Sequence, residues 1–80
     1  MSVFRFLNVQ IEIENETTGA KSYVDAVVDL AYIGHAYSDG DETTAITDLS
    51  GVDIFVVKMQ FEEFRKIFVN FKQLFTKQWN

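Results

Sequence analysis

From Val3 to Glu14 apolar and polar residues alternate, with Val3, Leu7, Val9, Ile11 and Ile13 on one side and Asn8, Gln10, Glu12 and Glu14 on the other. A period of two predicts a half-buried strand. Phe4 and Phe6 break the pattern by placing aromatic rings on the polar side. Asn15-Glu16-Thr17-Thr18-Gly19 is a turn cluster. Ser22 to Leu30 reads as a second strand, with Val24, Ala26, Val28 and Leu30 inward and Tyr23, Asp25, Val27 and Asp29 outward. The short link predicts an antiparallel hairpin. Ala31 to Tyr37 is a third strand candidate, interrupted at Gly34, where a bulge or a close backbone approach is expected. The pattern leaves open whether residues 22–37 form one bent strand or two. Ser38-Asp39-Gly40-Asp41 marks a turn. Thr43 to Leu49, rich in β-branched residues, is the next strand. After the Ser50-Gly51 turn, Ile54 to Lys58 reads as a short apolar strand at the centre of the sheet.

The periodicity then changes. Phe61, Phe64, Phe68, Phe71 and Phe75 recur at alternating spacings of three and four, and Ile67 and Leu74 widen the stripe. On a helix these side chains fall within roughly 140° of arc, which predicts one apolar face over residues 59–80. Glu62 and Glu63 at the start and Lys77 near the end suit the helix dipole. No Ser, Thr, Asp or Asn caps the start, because Lys58-Met59-Gln60 precede it. The spacing is also that of a heptad, but Phe is a poor seam residue and three heptads are short, so packing on a sheet is preferred to a coiled coil. The fold class is therefore α+β: an antiparallel sheet of four to five strands with one long C-terminal amphipathic helix packed on one face. Residues 1–80 form a single domain, with the sheet in 1–58 and the helix in 59–80.

Helix length raises a question of cover. About 18 residues at 1.5 Å each span about 27 Å, whereas strands of five or six residues span about 17–20 Å. Phe61, Phe64, Ile67 and Phe68 then belong to the core, while Phe71, Leu74, Phe75 and Trp79 are expected to overhang as an aromatic surface for self-association or a partner. The alternative is that the long first strand lies beneath the whole helix and covers them.

Composition sharpens these expectations. The 80 residues include 8 Phe, 3 Tyr and 1 Trp, and contain no Cys and no Pro. A disulfide scaffold and a Cys-based zinc site are excluded. A domain this small buries little more than about 60% of its unfolded surface, so oligomerisation or a rich core has to compensate. The formal net charge is −5, unevenly spread: residues 1–58 hold ten acids and three bases, net −7, and residues 59–80 are net +2. The acidic part repels phosphate and argues against direct nucleic-acid binding. It suits a basic protein partner, with simple solubility as the plainer explanation. No run of about 18 apolar residues is present, and the N-terminus lacks the pattern of a signal peptide, so neither membrane insertion nor secretion is expected. Together with the lack of Cys, this places the expectation in the cytoplasm, the host's if the chain is phage-encoded.

Candidate chemistry is sparse. His35 is the lone His, with Asp39 and Asp41 as its local carboxylates, and reads as a structural or surface residue. Asp39-Gly40-Asp41-Glu42 lacks the ordered spacing of a calcium loop and reads as a solvated turn. Adjacent Glu62 and Glu63 diverge by about 100° on a helix and make no catalytic pair. No phosphate loop, dinucleotide fingerprint or zinc-protease motif occurs, and no serine sits in a nucleophile elbow. The expectation is a non-enzyme without metal or cofactor.

The segments Thr44-Ala45-Ile46-Thr47-Asp48-Leu49-Ser50-Gly51, Phe55-Val56-Val57-Lys58 and Phe61-Glu62-Glu63-Phe64 resemble the cadence of the flagellar FlbD-like family and its phage- and prophage-borne relatives, over roughly residues 23–70. The Ser usual before the helix in that family is Met59-Gln60 here, and neither the first strand nor the Phe-rich extension belongs to its pattern. The resemblance implies a small accessory or interaction protein and carries over no site residues.

The function expected first is that of a small acidic protein-binding module, in the manner of a phage or mobile-element inhibitor of a host enzyme or defence complex, meeting a basic groove with Asp39, Asp41, Glu42 and Asp53. The alternative is a homo-oligomeric accessory subunit, a homodimer in the simplest case, joined through Phe71, Leu74, Phe75 and Trp79. A third class is a nucleotide sponge, with Tyr23, Tyr32, Tyr37 and Trp79 for stacking and Arg5, Lys21 or Lys58 for phosphate.

Overall fold

The computed structural model describes residues 5–52 and 54–79, with side chains described as far as Leu74. Five strands precede one helix: β1 (Phe6–Glu14), β2 (Lys21–Asp29), β3 (Ile33–Ser38), β4 (Thr44–Asp48), β5 (Ile54–Val57) and α1 (Phe61–Trp79). A 3-10 turn at Leu30–Tyr32 separates β2 from β3 and resolves residues 22–37 into two strands. All pairings are antiparallel, in the order β2-β1-β5-β4-β3, so the short β5 is central as its apolar sequence predicts.

Order and connectivity together force the sheet to curl. β2 and β3 occupy opposite edges, which in a flat five-stranded sheet lie about 19 Å apart. The 3-10 turn that joins them has three residues and advances only about 6 Å. The edges meet only if the sheet rolls towards a half-barrel, and accordingly residues from all five strands line one common cleft.

The inner face carries Leu7, Val9 and Ile11 of β1, Ala26 and Val28 of β2, Ile46 of β4 and Val57 of β5, because residues paired across an antiparallel ladder share a face. α1 packs against β3 and the 3-10 turn, with Phe64 fully buried and stacked on Phe68 at 5.7 Å. Phe71, expected to overhang, is instead only 4% exposed and belongs to the core. It shares that cluster with Val9, Ile33, Ile46 and Val57 of the strands. The 3-10 turn extends the platform, placing the fully buried Leu30 in the same cluster and the Ala31 carbonyl 3.5 Å from Lys72 Nζ. Leu74 is half-buried, while the side chains of Phe75 and Trp79 lie outside the described residues.

The helix start lacks a side-chain cap and is braced through the connector before it. Lys58 N–H donates to the Gln10 carbonyl (2.8 Å), and the buried Thr44 hydroxyl donates to the Met59 carbonyl (2.8 Å). Glu62 and Glu63 lie in the first turn, where they complement the dipole.

Both alternatives raised by Gly34 are present. Between the pairs Ile33↔Asp48 and Ala36↔Ile46, two residues of β3 oppose one of β4, a bulge. The His35 N–H displaced by the bulge is taken by the Thr47 hydroxyl (3.1 Å), which explains a buried threonine on an apolar strand. A Cβ on Gly34 would stand 2.5 Å from the Asp48 carbonyl oxygen.

Among the described residues, β1 and β5 are paired in ladder register only at Ile11 opposite Val57. The distal half of the β1–β2 hairpin therefore stands away from β5, and Ile13 and Val24, which alternation placed inside, are exposed.

Candidate functional site: an apolar cleft at the seam of the curled sheet

Where β2 approaches β4 and β5 the curled sheet leaves a 280 Å³ cleft that α1 does not fill. Its floor is Ile11, Ala26, Ile33 and Ile46. Its rim carries Val27, Tyr32 and Phe55, which are 62%, 61% and 47% exposed. Beside it the β4–β5 turn holds Leu49 and Val52 open to solvent. Apolar exposure gathered at one concavity, on a chain this rich in aromatics, marks an interaction surface.

Two carboxylates flank the apolar floor. Asp29 accepts both nitrogens of the Arg5 guanidinium (2.9 and 2.8 Å) and the Ala31 N–H (3.0 Å), so it caps the 3-10 turn as well. The Arg5 bonds hold its carboxyl below the usual carboxylate range. The same guanidinium lies over Phe6 at 5.4 Å and Tyr32 at 5.9 Å, which fixes the tyrosine at the rim. Asp48 accepts the Ser50 hydroxyl (2.7 Å) and the Val52 N–H (3.1 Å), and these bonds lower its pKa. Gly51, at φ +79°, makes this turn possible. Asp48 meets no cation among the described residues, so the cleft carries uncompensated negative charge at that side.

The Asp29 geometry fixes the sign of a pH effect. A carboxyl whose folded pKa is depressed contributes stability that is present above its unfolded pKa and lost as pH falls through the folded one. Asp29→Asn, which can still accept the Ala31 N–H, is expected to melt below the wild type at neutral pH. The gap should narrow on acidification, as the pH falls through the lowered folded pKa of Asp29. Thermal denaturation across this range checks it, and a gap that does not change with pH would contradict the ionic role.

The residues singled out by sequence are distributed differently. Asp39, Asp41 and Glu42 share the exposed β3–β4 turn, where Asp39 N–H donates to the Thr43 carbonyl (3.2 Å). None of the three is ion-paired among the described residues. That turn is at the opposite end of the β3–β4 hairpin from the cleft, and Asp53 lies outside the described residues. The proposed stacking set is scattered. Tyr32 sits with Arg5 by the cleft, Tyr23 lies under Lys58 at 5.1 Å, Tyr37 is on the far edge strand, and Lys21 faces Glu12 at 3.9 Å. His35 is exposed. No group of three or more His, Cys, Asp or Glu among the described residues is placed to hold a metal ion.

Phe55, Val27 and Asp48 were not marked as site residues by the sequence pattern. Their common location follows from the curl, whose one sequence signal is the short Leu30–Tyr32 link between strands that turn out to be opposite edges. Among the described residues no helix is long and apolar enough to cross a membrane. No protein-family profile, curated protein or solved structure matches the chain.

Proposed function

We propose that the protein is a small non-catalytic binding module that seats an apolar side chain of a protein partner in the cleft, beside a basic residue of the same partner. The observation that carries this is the cleft itself: an apolar floor of Ile11, Ala26, Ile33 and Ile46 drawn from four strands, an exposed rim of Tyr32, Phe55 and Val27, and at its side an Asp48 carboxylate with no ion-pair partner among the described residues. At 280 Å³ it is smaller than most small-molecule sites, which occupy about 300–1,000 Å³, and it matches a side-chain anchor better. Interfaces concentrate their energy in a few such desolvated anchors. The net charge of −5 supplies the longer-range part, steering basic surfaces towards the molecule. The Asp39-Asp41-Glu42 turn adds to that field from a distance.

A random peptide library selected on the wild-type protein tests the proposal. Enriched peptides are expected to share an aromatic or aliphatic anchor next to Lys or Arg, and to lose at least tenfold in affinity for Phe55→Thr, about 1.4 kcal/mol. Peptides without such an anchor, or with equal affinity for both proteins, would contradict it.

A further inference from the structure

The hairpin edge carries a second surface, independent of the cleft. β2 is an edge strand of nine residues with no bulge in its pairing to β1. Two hydrogen bonds bracket that ladder: Asn15 N–H to the Ala20 carbonyl and Leu30 N–H to the Arg5 carbonyl, both 2.8 Å. Bonded and non-bonded pairs alternate along an antiparallel ladder, so these brackets fix its parity. Ser22, Val24, Ala26 and Val28 direct their N–H and C=O groups at β1, and Lys21, Tyr23, Asp25 and Val27 direct theirs away from it. Among the described residues the outward groups of Lys21, Tyr23 and Asp25 meet no partner. All five residues from Lys21 to Asp25 are exposed.

We propose that β2 pairs antiparallel with β2 of a second copy of this chain, about a two-fold axis at Tyr23. The segment Lys21-Ser22-Tyr23-Val24-Asp25 complements itself in this register. Lys21 falls opposite Asp25 of the second copy, Ser22 opposite Val24, and Tyr23 opposite its own equivalent. Parity is satisfied, since residues with outward groups meet one another, and about six backbone hydrogen bonds form. The dimer gains two opposite-charge cross-strand pairs and one aromatic pair, the contacts that stabilise sheets. Neighbouring registers lack this fit. Centring on Asp25 opposes two carboxylates, and centring on Val24 sets Lys21 against Val27 and Tyr23 against Asp25. Charges on an edge strand ordinarily deter pairing; here their placement selects one register and opposes the others. Gln10 holds one oxygen of Asp25 (3.2 Å), which leaves the second for Lys21 of the other copy.

Charge reversal on the full chain tests the register. Wild type is expected to sediment as a dimer at high micromolar concentration. Lys21→Asp and Asp25→Lys alone should each weaken the dimer roughly tenfold or more, because two facing pairs become repulsive. Mixing these two variants, or combining both changes in one chain, restores opposite charges and should restore dimers. Circular dichroism confirms that each variant is folded. A monomeric wild type, a dimer indifferent to the single reversals, or a failure of the mixture to recover would overturn the proposal. Phe55→Thr should leave the dimer intact, and loss of dimer in that variant alone would overturn the edge assignment in favour of the cleft.

Discussion

Phe64→Ala should remove most of the stability of the fold. Phe64 is fully buried, stacks on Phe68, and shares a cluster with Val9, Leu30, Ile33, Ile46 and Val57. Truncating a buried Phe costs about 3–5 kcal/mol, as lost transfer energy plus the cavity left behind. A domain of this length has only about 4–12 kcal/mol in total. The melting temperature is expected to fall by roughly 15–30 °C, with a variant partly unfolded at room temperature. Urea denaturation gives the same quantity independently. A loss below about 1 kcal/mol would show that the ring is not at the centre of the helix–sheet contact. Phe61, half-buried one turn earlier, should cost clearly less on the same substitution.

Gly34→Ala should be the most damaging of the smallest substitutions. The added Cβ would lie 2.5 Å from the Asp48 carbonyl oxygen and 3.1 Å from Leu49 Cα. Both are backbone atoms, so no side chain can rotate out of the way. β3 and β4 must separate at the bulge, at a cost of about 1–3 kcal/mol. Gly51 provides the comparison: its φ of +79° makes Ala unfavourable there too, but nothing lies within 4 Å of the new atom. Gly51→Ala should therefore lose about 1 kcal/mol through backbone strain alone. Because Ile33 and Asp48, the pair that borders the bulge at one end, line the cleft, Gly34→Ala should weaken anchor binding as well as folding. Equal stability of the Gly34→Ala protein and the wild type, by thermal denaturation, would mean that the strands do not approach as described.

These two residues also show how far the sequence was legible. The helix and its buried stripe follow from a run of Phe at helical spacing, which water penalises strongly enough to fix one face. The β1–β2 hairpin follows from alternation around a turn cluster whose Asn15 side chain accepts the Thr17 and Thr18 N–H groups. Gly34 announced a bulge or a close approach, and it is both. Strand order was not legible, because β1 and β5 come together from distant parts of the chain and alternation says nothing about neighbours. The curl depends on that order, and so does the cleft. Phe71 shows the same limit: assumed strands of five or six residues leave it overhanging, whereas β1 and β2 run nine residues and the 3-10 turn, invisible in a short apolar stretch, adds Leu30 to its cluster. The acidic Asp39-Asp41-Glu42 turn is easy to see as a cluster because its residues are contiguous in the chain. The apolar cleft was hard to see because its lining is spread over all five strands.

The claim on which the functional proposal turns is that the seam cleft, not the acidic turn or the helix surface, receives the partner. Amide chemical-shift mapping of the isotope-labelled protein, titrated with a selected peptide carrying an apolar anchor beside a basic residue, tests this most directly. The predicted result is a saturable set of shifts centred on Ile33, Ile46, Asp48 and Phe55, with the Asp39–Glu42 turn nearly unmoved. Shifts confined to that turn, or to the outer face of α1, would contradict it.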